Sequence, residues 1–349
     1  MSKQAPTLED VAREAGVSRA TVSRVVNGVR NVDPAIQKLV NRAIERTGYA
    51  PNRAARSLVT RRAETVALVV SGAGDPSQDT RDTQDAFAAR AFADPFFGRV
   101  VSGIVGYLRP RSMHPVLMFA ESPQDRQEVL TYLRQGRSDG ALVVSTHADD
   151  PLPASLAEAK LPAVSFARPA REVPLSYVDL EHRHGGRLAA ERLLARGCRR
   201  PATVTGPLAV PASRERLAGF RDTLARNGHP HVPMAEGGFT TDSGIAAMER
   251  LLAEDPEVDG VFAANDLMAQ GACQLLRERG RRVPDDVAVI GFDDSVVARS
   301  CTPALTTVRQ PVEQMAAEMA RLLDEHIRLD RTDPTCVLFE PELIVRETA

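Results

Sequence analysis

No stretch of the 349-residue chain approaches the ~18 consecutive apolar residues of a membrane-spanning helix, and no charged leader with an apolar core begins it. A cytoplasmic protein is expected. Cysteine is scarce: Cys198, Cys273, Cys301 and Cys336 lie far apart with no C-x-x-C pair, which points away from a zinc site and from a disulfide framework. There is no phosphate-cradling glycine loop. His182 and His184 stand beside Glu181 but without a nucleophile and adjacent base, so the seven histidines are expected at the surface or in the core. No catalytic residue, cofactor or metal follows from these patterns, and an enzyme is not expected. Only three of the 44 basic residues are lysine, which reflects base composition and not chemistry.

What is present begins at residue 7. In TLEDVAREAGVSRATVSRVVN, residues Leu8, Val11, Ala12 and Ala15 fall on one stripe of a short helix, and Thr7 with Asp10 forms a capping pair at its start. A tight turn at Gly16 leads to Ser18, an N-cap, and to a second helix. There Val22, Val25 and Val26 point one way, while Ala20 and Arg24, flanked by Arg19 and Ser23, point the other. Two such helices joined by such a turn make a helix-turn-helix. Its outer face carries a guanidinium, Arg24, able to bond both O6 and N7 of a guanine, while Arg19 can do the same or hold a phosphate.

Charge supports a DNA-reading head. Residues 1 to 62 carry 12 Lys and Arg against 5 Asp and Glu, whereas the whole chain carries 44 against 46, so a basic head precedes an acidic body. A third helix is predicted from Asp33 as cap and Pro34 as first residue to Gly48, with Ile36, Leu39, Val40, Ala43 and Ile44 as its buried stripe. Pro51 then breaks the chain. Asn52 to Leu58 offers about two helical turns, too short to stand alone in water.

The remaining residues alternate short apolar strands with amphipathic helices. TVALVV, HPVLMF, GALVVS and LPAVSF read as buried parallel strands of one series, and PATVTG, DGVFAAN and VAVIGF as a second. The fold class expected is α/β: a helix-turn-helix head followed by two lobes of doubly wound parallel sheet. Ligands of such sheets bind at the carboxyl ends of the strands, which makes the cleft between lobes the default pocket. The boundaries expected are 1–49 for the head, 50–62 for the hinge helix and linker, and 63–349 for the two-lobed core.

These segments resemble the lactose-repressor (LacI) family. TLEDVAREAGVS, TVSRVVN and Y-x-PNRAARSL resemble its head and hinge; DPFF, SRERLAGFR, GFTTDSG, AANDLMAQG, VPDDVAVIGFDDS and TPALTTVRQP resemble segments of its core, in order. The resemblance implies a core like that of periplasmic sugar-binding proteins and a homodimeric repressor on double-stranded, pseudopalindromic operator DNA. It implies DNA contacts from Thr7, Ser18, Arg19, Ala20, Thr21, Ser23, Arg24, Asn27, Asn31 and Tyr49 in the head. In the hinge it implies Asn52, Arg53, Ala55 and Leu58, the leucine being wedged into the central base step. It further implies a small-molecule effector, a sugar, held by aromatic Phe96, Phe97 and Phe239, by polar Arg216, Asn265 and Asp293, and near Gln310 at a crossing between lobes.

Two departures stand out. Ala167 precedes Arg168 where many members carry an acidic residue, which removes one acceptor for a hydroxyl. A long segment, GAGDPSQDTRDTQDAFAARAFA, holds four aspartates from Asp75 to Asp85 where the family has a few residues; it reads as a loop at the cleft rim, without calcium-loop spacing. No heptad-patterned helix follows FEPELIVRETA, so a dimer is expected in preference to a tetramer, with FGRVVSGIVGYL contributing to its contact. Other readings stay open: a regulator whose DNA binding is strengthened by its ligand or by a protein partner, and a sugar-processing enzyme that uses the lobes as a clamp.

Overall fold

The computed structural model describes residues 6–26, 32–49, 62–72, 93–145, 147, 149–329 and 333–349. The chain divides into two compact units, Met1–Glu64 and Thr65–Ala349. In the first, α1 (Leu8–Ala15), α2 (Arg19–Val26) and α3 (Pro34–Thr47) enclose a small core of Val11, Val22, Val40 and Ala43. The local chemistry follows the sequence closely. The Thr7 hydroxyl accepts from the Asp10 amide while the Asp10 carboxylate accepts from the Thr7 amide at 2.9 Å, a reciprocal capping box. Gly16, at φ 66°, ends α1 in the left-handed region and turns the chain into α2. Ser18 caps α2 by accepting from the Thr21 amide at 3.1 Å, and Asp33 caps α3 by accepting from Ala35 at 2.7 Å. Leu39 departs from the predicted stripe: it is 49% exposed, because Ile36, Val40, Ala43 and Ile44 already cover the inward face and Leu39 lies at its margin.

The second unit contains two six-stranded sheets. The first has strand order β11-β5-β4-β3-β1-β2, with β1 (Thr65–Ser71), β2 (His114–Ala120), β3 (Ala141–Ser145), β4 (Ala163–Phe166), β5 (Ser176–Leu180) and β11 (Cys336–Phe339) all parallel. The second has order β12-β10-β9-β8-β6-β7. Here β6 (Pro201–Thr205), β7 (Met234–Glu236), β8 (Gly260–Ala263), β9 (Ala288–Asp293) and β10 (Thr306–Arg309) are parallel, while β12 (Glu342–Ile344) is antiparallel to β10. Both lobes carry the expected parallel sheets, with one antiparallel edge: β12 enters from the first lobe just after β11, so it runs against β10. HPVLMF is likewise not a buried strand. As β2 it forms the sheet edge and leaves His114 and Leu117 exposed.

The helices that matter for the cleft are α4 (Pro95–Leu108), α5 (Pro123–Arg134) and α6 (Leu152–Glu158) in the first lobe, and α7 (His182–Ala195), α8 (Pro211–Arg226), α9 (Thr241–Glu254), α10 (Asp266–Glu278) and α11 (Val296–Ser300) in the second. Finally α12 (Val312–Leu329) returns to pack on α4. The chain thus crosses between lobes near Glu181, Gln310 and Glu340. One apolar cluster spans these crossings, from Leu142, Val164 and Val178 through Met315 and Met319 to Phe220, Phe262 and Phe292. The segment expected at a dimer contact, FGRVVSGIVGYL, buries Val100, Gly103, Ile104 and Leu108 within its own lobe, so that stripe is taken; Gly98, Ser102 and Gly106 remain outward. Among the described residues no helix is long and apolar enough to cross a membrane, and no cluster of metal-ligating side chains occurs. Asn27, Asn31, Asn52, Arg53, Ala55 and Leu58, the expected hinge helix, and most of the acidic segment after Gly72 lie outside the described residues.

Candidate functional site

The second lobe builds its side of the cleft from the carboxyl ends of its strands. Helices α7 and α8 approach so closely that a Cβ on Gly186 would lie 2.0 Å from the Arg216 carbonyl oxygen, and one on Gly219 would lie 1.9 Å from that of Arg183. This backbone contact lodges Arg216 at the crossing of the lobes, 6% exposed. Its Nη1 donates to the Ala264 carbonyl at 2.5 Å, its Nη2 to Gln310 Oε1 at 3.2 Å and its Nε to His182 Nδ1 at 3.3 Å, while the guanidinium lies 3.6 Å from the Phe292 ring centroid. Burial lowers the Arg216 pKa, and the carboxylates of Asp293, Asp179 and Asp266 oppose that shift.

His182 completes a relay that the residue pattern did not reveal. Burial and the neighbouring Arg216 lower its pKa, so the ring is neutral; with Nδ1 accepting from Arg216, the proton sits on Nε2, which donates to Asp179 Oδ1 at 3.3 Å. His182 is therefore a buried residue, one of the two placements expected for the histidines, and it joins a first-lobe strand to the second-lobe arginine.

Asp293 stands at the end of β9 with φ 106°, a strained backbone for a non-glycine residue. Burial lifts its carboxyl well above the ordinary range; Arg216 opposes this, and Asp266 and Asp94 reinforce it. Among the described residues, no hydrogen bond or ion pair is formed by the Asp293 carboxylate, although its backbone carbonyl is used twice. Asn265 caps α10 by accepting from Met268 at 2.9 Å and donates from Nδ2 to the Phe239 carbonyl at 3.0 Å. Phe239, at φ 63°, lays its ring over Gly206, where a Cβ would come within 2.3 Å of it. Beside that ring the hydroxyls of Thr205 and Ser213 are buried without a hydrogen-bond partner among the described residues.

The structure thus brings together Arg216, Asn265, Asp293, Gln310 and Phe239 around the ends of the second-lobe strands. The two first-lobe phenylalanines meet edge-on, with ring centroids 5.4 Å apart, but have different further neighbours. Phe96 packs edge-on against Phe166 with centroids 5.2 Å apart, whereas Phe97 turns inward and lines an apolar gap with Leu68, Val100, Leu117 and Phe119. A cavity of about 140 Å³ opens beside Phe166, lined by Ser145, His147, Asp149, Asp150, Arg168 and Asp179 of the first lobe and by Val210, Pro211 and Ala212 of the second. Asp179 links this cavity to the Arg216 cluster through His182. Sequence reasoning missed Asp179, Asp94 and the Ser145–Asp150 lining and gave His182 no role in the site; only the Ser145–Asp150 lining, at and just beyond the end of a predicted strand, carried a signal.

In the head, Ala20 and Arg24 are exposed on the outer face of α2, as its periodicity requires. Arg19 pairs with Glu9 at 3.1 Å, and the Ser18 and Thr21 hydroxyls bond each other at 2.9 Å. Thr7 is engaged in its capping box and Tyr49 packs against the head core. Residues 7–52 match the family model of bacterial regulatory proteins, lacI family, and residues 190–349 match a periplasmic binding protein-like domain. The HTH-type transcriptional regulator CelR of Thermobifida fusca is 46% identical over 99% of both chains.

The chain belongs to the lacI family of bacterial regulatory proteins. It is a DNA-binding transcriptional regulator with a two-lobed ligand-binding core. The ribose operon repressor of Escherichia coli (strain K12) is 32% identical, covering 96% of this chain and 98% of its own. Among solved structures, a transcriptional regulator CelR–cellobiose complex is 44% identical, covers 99% of this chain and 100% of its own, and superposes with a TM-score of 0.74. A lac repressor dimer bound to operator and the anti-inducer ONPF is 27% identical over 99% of both chains, with a TM-score of 0.83.

Proposed function

We propose that the protein is a cytoplasmic repressor that binds a pseudopalindromic operator as a homodimer and is released by a sugar of more than one ring, with no catalytic role. The observation that carries the effector reading is the Asp293 carboxylate, which has no bonding partner among the described residues and sits beside Arg216 where two lobes meet. A carboxylate acceptor next to a planar donor suits neighbouring ring hydroxyls, and Phe239 supplies an apolar face for the ring. A second polar station, the cavity of about 140 Å³ around Ser145, Asp150 and Arg168, continues from that cluster by way of Asp179, so the cleft is elongated. The relative solved with cellobiose supports a ligand of that length. On the head, Arg24 and Ala20 are the base-reading pair; Thr7, Ser18, Thr21, Ser23 and Tyr49 are assigned backbone or flanking contacts. Arg19 is assigned a phosphate, in exchange for Glu9.

The test is calorimetric titration of the full chain with cellobiose, glucose and ribose, followed by binding to an operator selected from random duplex DNA, with and without the sugar. Micromolar binding of cellobiose with weakened operator affinity is expected. Tighter operator binding in the presence of cellobiose would instead make the sugar a corepressor, and preference for a monosaccharide would remove the two-station reading.

A further inference from the structure

One arginine of the first lobe holds three separate pieces of chain at the junction. Arg99, in the second turn of α4, is 18% exposed at its side chain. Its Nη1 donates to the Asp293 carbonyl at 2.9 Å and its Nη2 to the Gln310 carbonyl at 3.0 Å. Its Nε and Nη2 also meet both carboxylate oxygens of Glu313, at 2.7 and 2.8 Å. The acceptors belong respectively to the end of β9 in the second lobe, to the crossing segment, and to the first turn of α12 in the first lobe. The close seat of α4 on α12 makes this reach possible: a Cβ on Gly103 would lie 2.2 Å from the Glu313 carbonyl oxygen.

The two carbonyls that Arg99 holds also organise the crossing itself. The Gln310 amide donates to the Asp293 carbonyl at 3.4 Å, and the Val312 amide donates to the Gln310 carbonyl at 2.8 Å. The Asp293 backbone is therefore pinned from α4, while its own carboxylate has no hydrogen-bond or ion-pair partner among the described residues. Any shift of one lobe against the other must move at least one of the three acceptors away from the planar fork.

We infer that Arg99 is a positioning residue that sets Asp293 for its ligand and ties occupancy of the cleft to the arrangement of the lobes. The inference rests on the reading of the cleft as the effector site. A merely structural ion pair with Glu313 would be satisfied by any cation, whereas the clamp needs a planar donor with several N–H groups, which lysine lacks.

The experiment uses the full chain as wild type, Arg99→Lys, Arg99→Met and Glu313→Gln. Hydrogen exchange is read at the Gln310 and Val312 amides without ligand, with the α5 amides as an internal reference, and cellobiose affinity is measured by calorimetry. Both Arg99 variants are expected to raise exchange at the crossing about tenfold or more, to leave α5 unchanged and to weaken cellobiose binding about tenfold. Glu313→Gln, which keeps the two carbonyl contacts, is expected to stay within about threefold of wild type in both measurements. Wild-type exchange and affinity in Arg99→Lys would overturn the clamp, as would a rise in Glu313→Gln equal to that in Arg99→Met. If an Arg99 variant does not fold, the Glu313→Gln comparison and the other Arg99 variant decide between the same two outcomes. Absence of cellobiose binding by the wild type would count against the sugar reading alone, since exchange at the crossing still judges the clamp.

Discussion

Asn265 binds the backbone of Phe239 from Nδ2 while its Oδ1 caps α10, so one side chain both starts a helix and holds an aromatic residue in the left-handed region over the cleft. The two bonds use chemically different atoms and can be cut separately. Asn265→Asp keeps the capping acceptor and loses the donor to Phe239; Asn265→Ala loses both. Removal of the cap alone is expected to cost about 0.5–2 kcal/mol. Denaturant melts should therefore place Asn265→Asp above Asn265→Ala, while both variants bind cellobiose more weakly. Equal stability of the two would show that the cap is not the stabilising bond.

Arg216 and Asp293, both assigned to the proposed effector site, differ in what supports them, and their variants should part accordingly. Loss of the Arg216 guanidinium strands the Ala264 carbonyl, Gln310 Oε1 and the nearby carboxylates, so Arg216→Met is expected to destabilise the core by about 3–5 kcal/mol before any ligand is added. Asp293→Asn replaces, at nearly constant shape, a desolvated carboxyl that lacks a partner among the described residues. It should leave stability unchanged or raise it, yet reduce cellobiose affinity at least tenfold. Thermal unfolding and calorimetry on the two variants check this; an Asp293→Asn variant as unstable as Arg216→Met would make Asp293 a structural residue.

Asp266 supplies a pH dependence. It accepts from the Thr307 hydroxyl at 2.6 Å and the Ser295 amide at 2.7 Å, but burial is the larger effect and raises its pKa to about 6 from the ordinary 3.8. Between those values the folded chain retains a proton that the unfolded chain has lost. The contribution of Asp266 to stability is therefore greatest below pH ~4 and falls as pH rises to about 6. The stability of wild type minus that of Asp266→Asn, from urea melts at pH 4.5, 5.5, 6.5 and 7.5, should decline across that range. A difference that stays level or rises would mean the folded-state pKa is not raised.

The head offers a prediction independent of the cleft. Arg24→Ala should weaken binding to the selected operator by roughly 1–3 kcal/mol and change binding to random DNA much less, because a base-edge contact carries sequence information and a phosphate contact does not. Arg19→Ala should lower affinity for both DNAs alike and reduce the salt dependence of binding. Fluorescence anisotropy at several salt concentrations separates the two outcomes.

Much of the molecule is decided by contacts that span three or four residues, and those were legible in the amino-acid order alone. The Thr7–Asp10 box, the Ser18 cap, Asp33 with Pro34 and the turn at Gly16 each arise from a side chain meeting the nearest unpaired amide or from a backbone conformation suited to glycine. So do the core-facing stripe of α2 and the apolar runs of β1, β3, β6, β8 and β9. The short strands β5, β7, β10, β11 and β12 were not legible. β5 and β10 carry polar residues that packing covers, β7 and β12 span only three residues, and β11 alternates exposed with half-buried positions. The cleft lies further still from local reasoning. Arg216 meets His182 and Gln310 across 34 and 94 residues, and Arg99 meets Asp293 across 194. Resemblance marked Arg216, Asn265 and Asp293 as polar groups of a cleft. Only the packed lobes decided that Arg216 is held by Ala264, His182 and Gln310, that His182 is neutral and that the Asp293 carboxylate is left unpartnered among the described residues, because desolvation and long-range hydrogen bonding exist only once distant segments exclude water together.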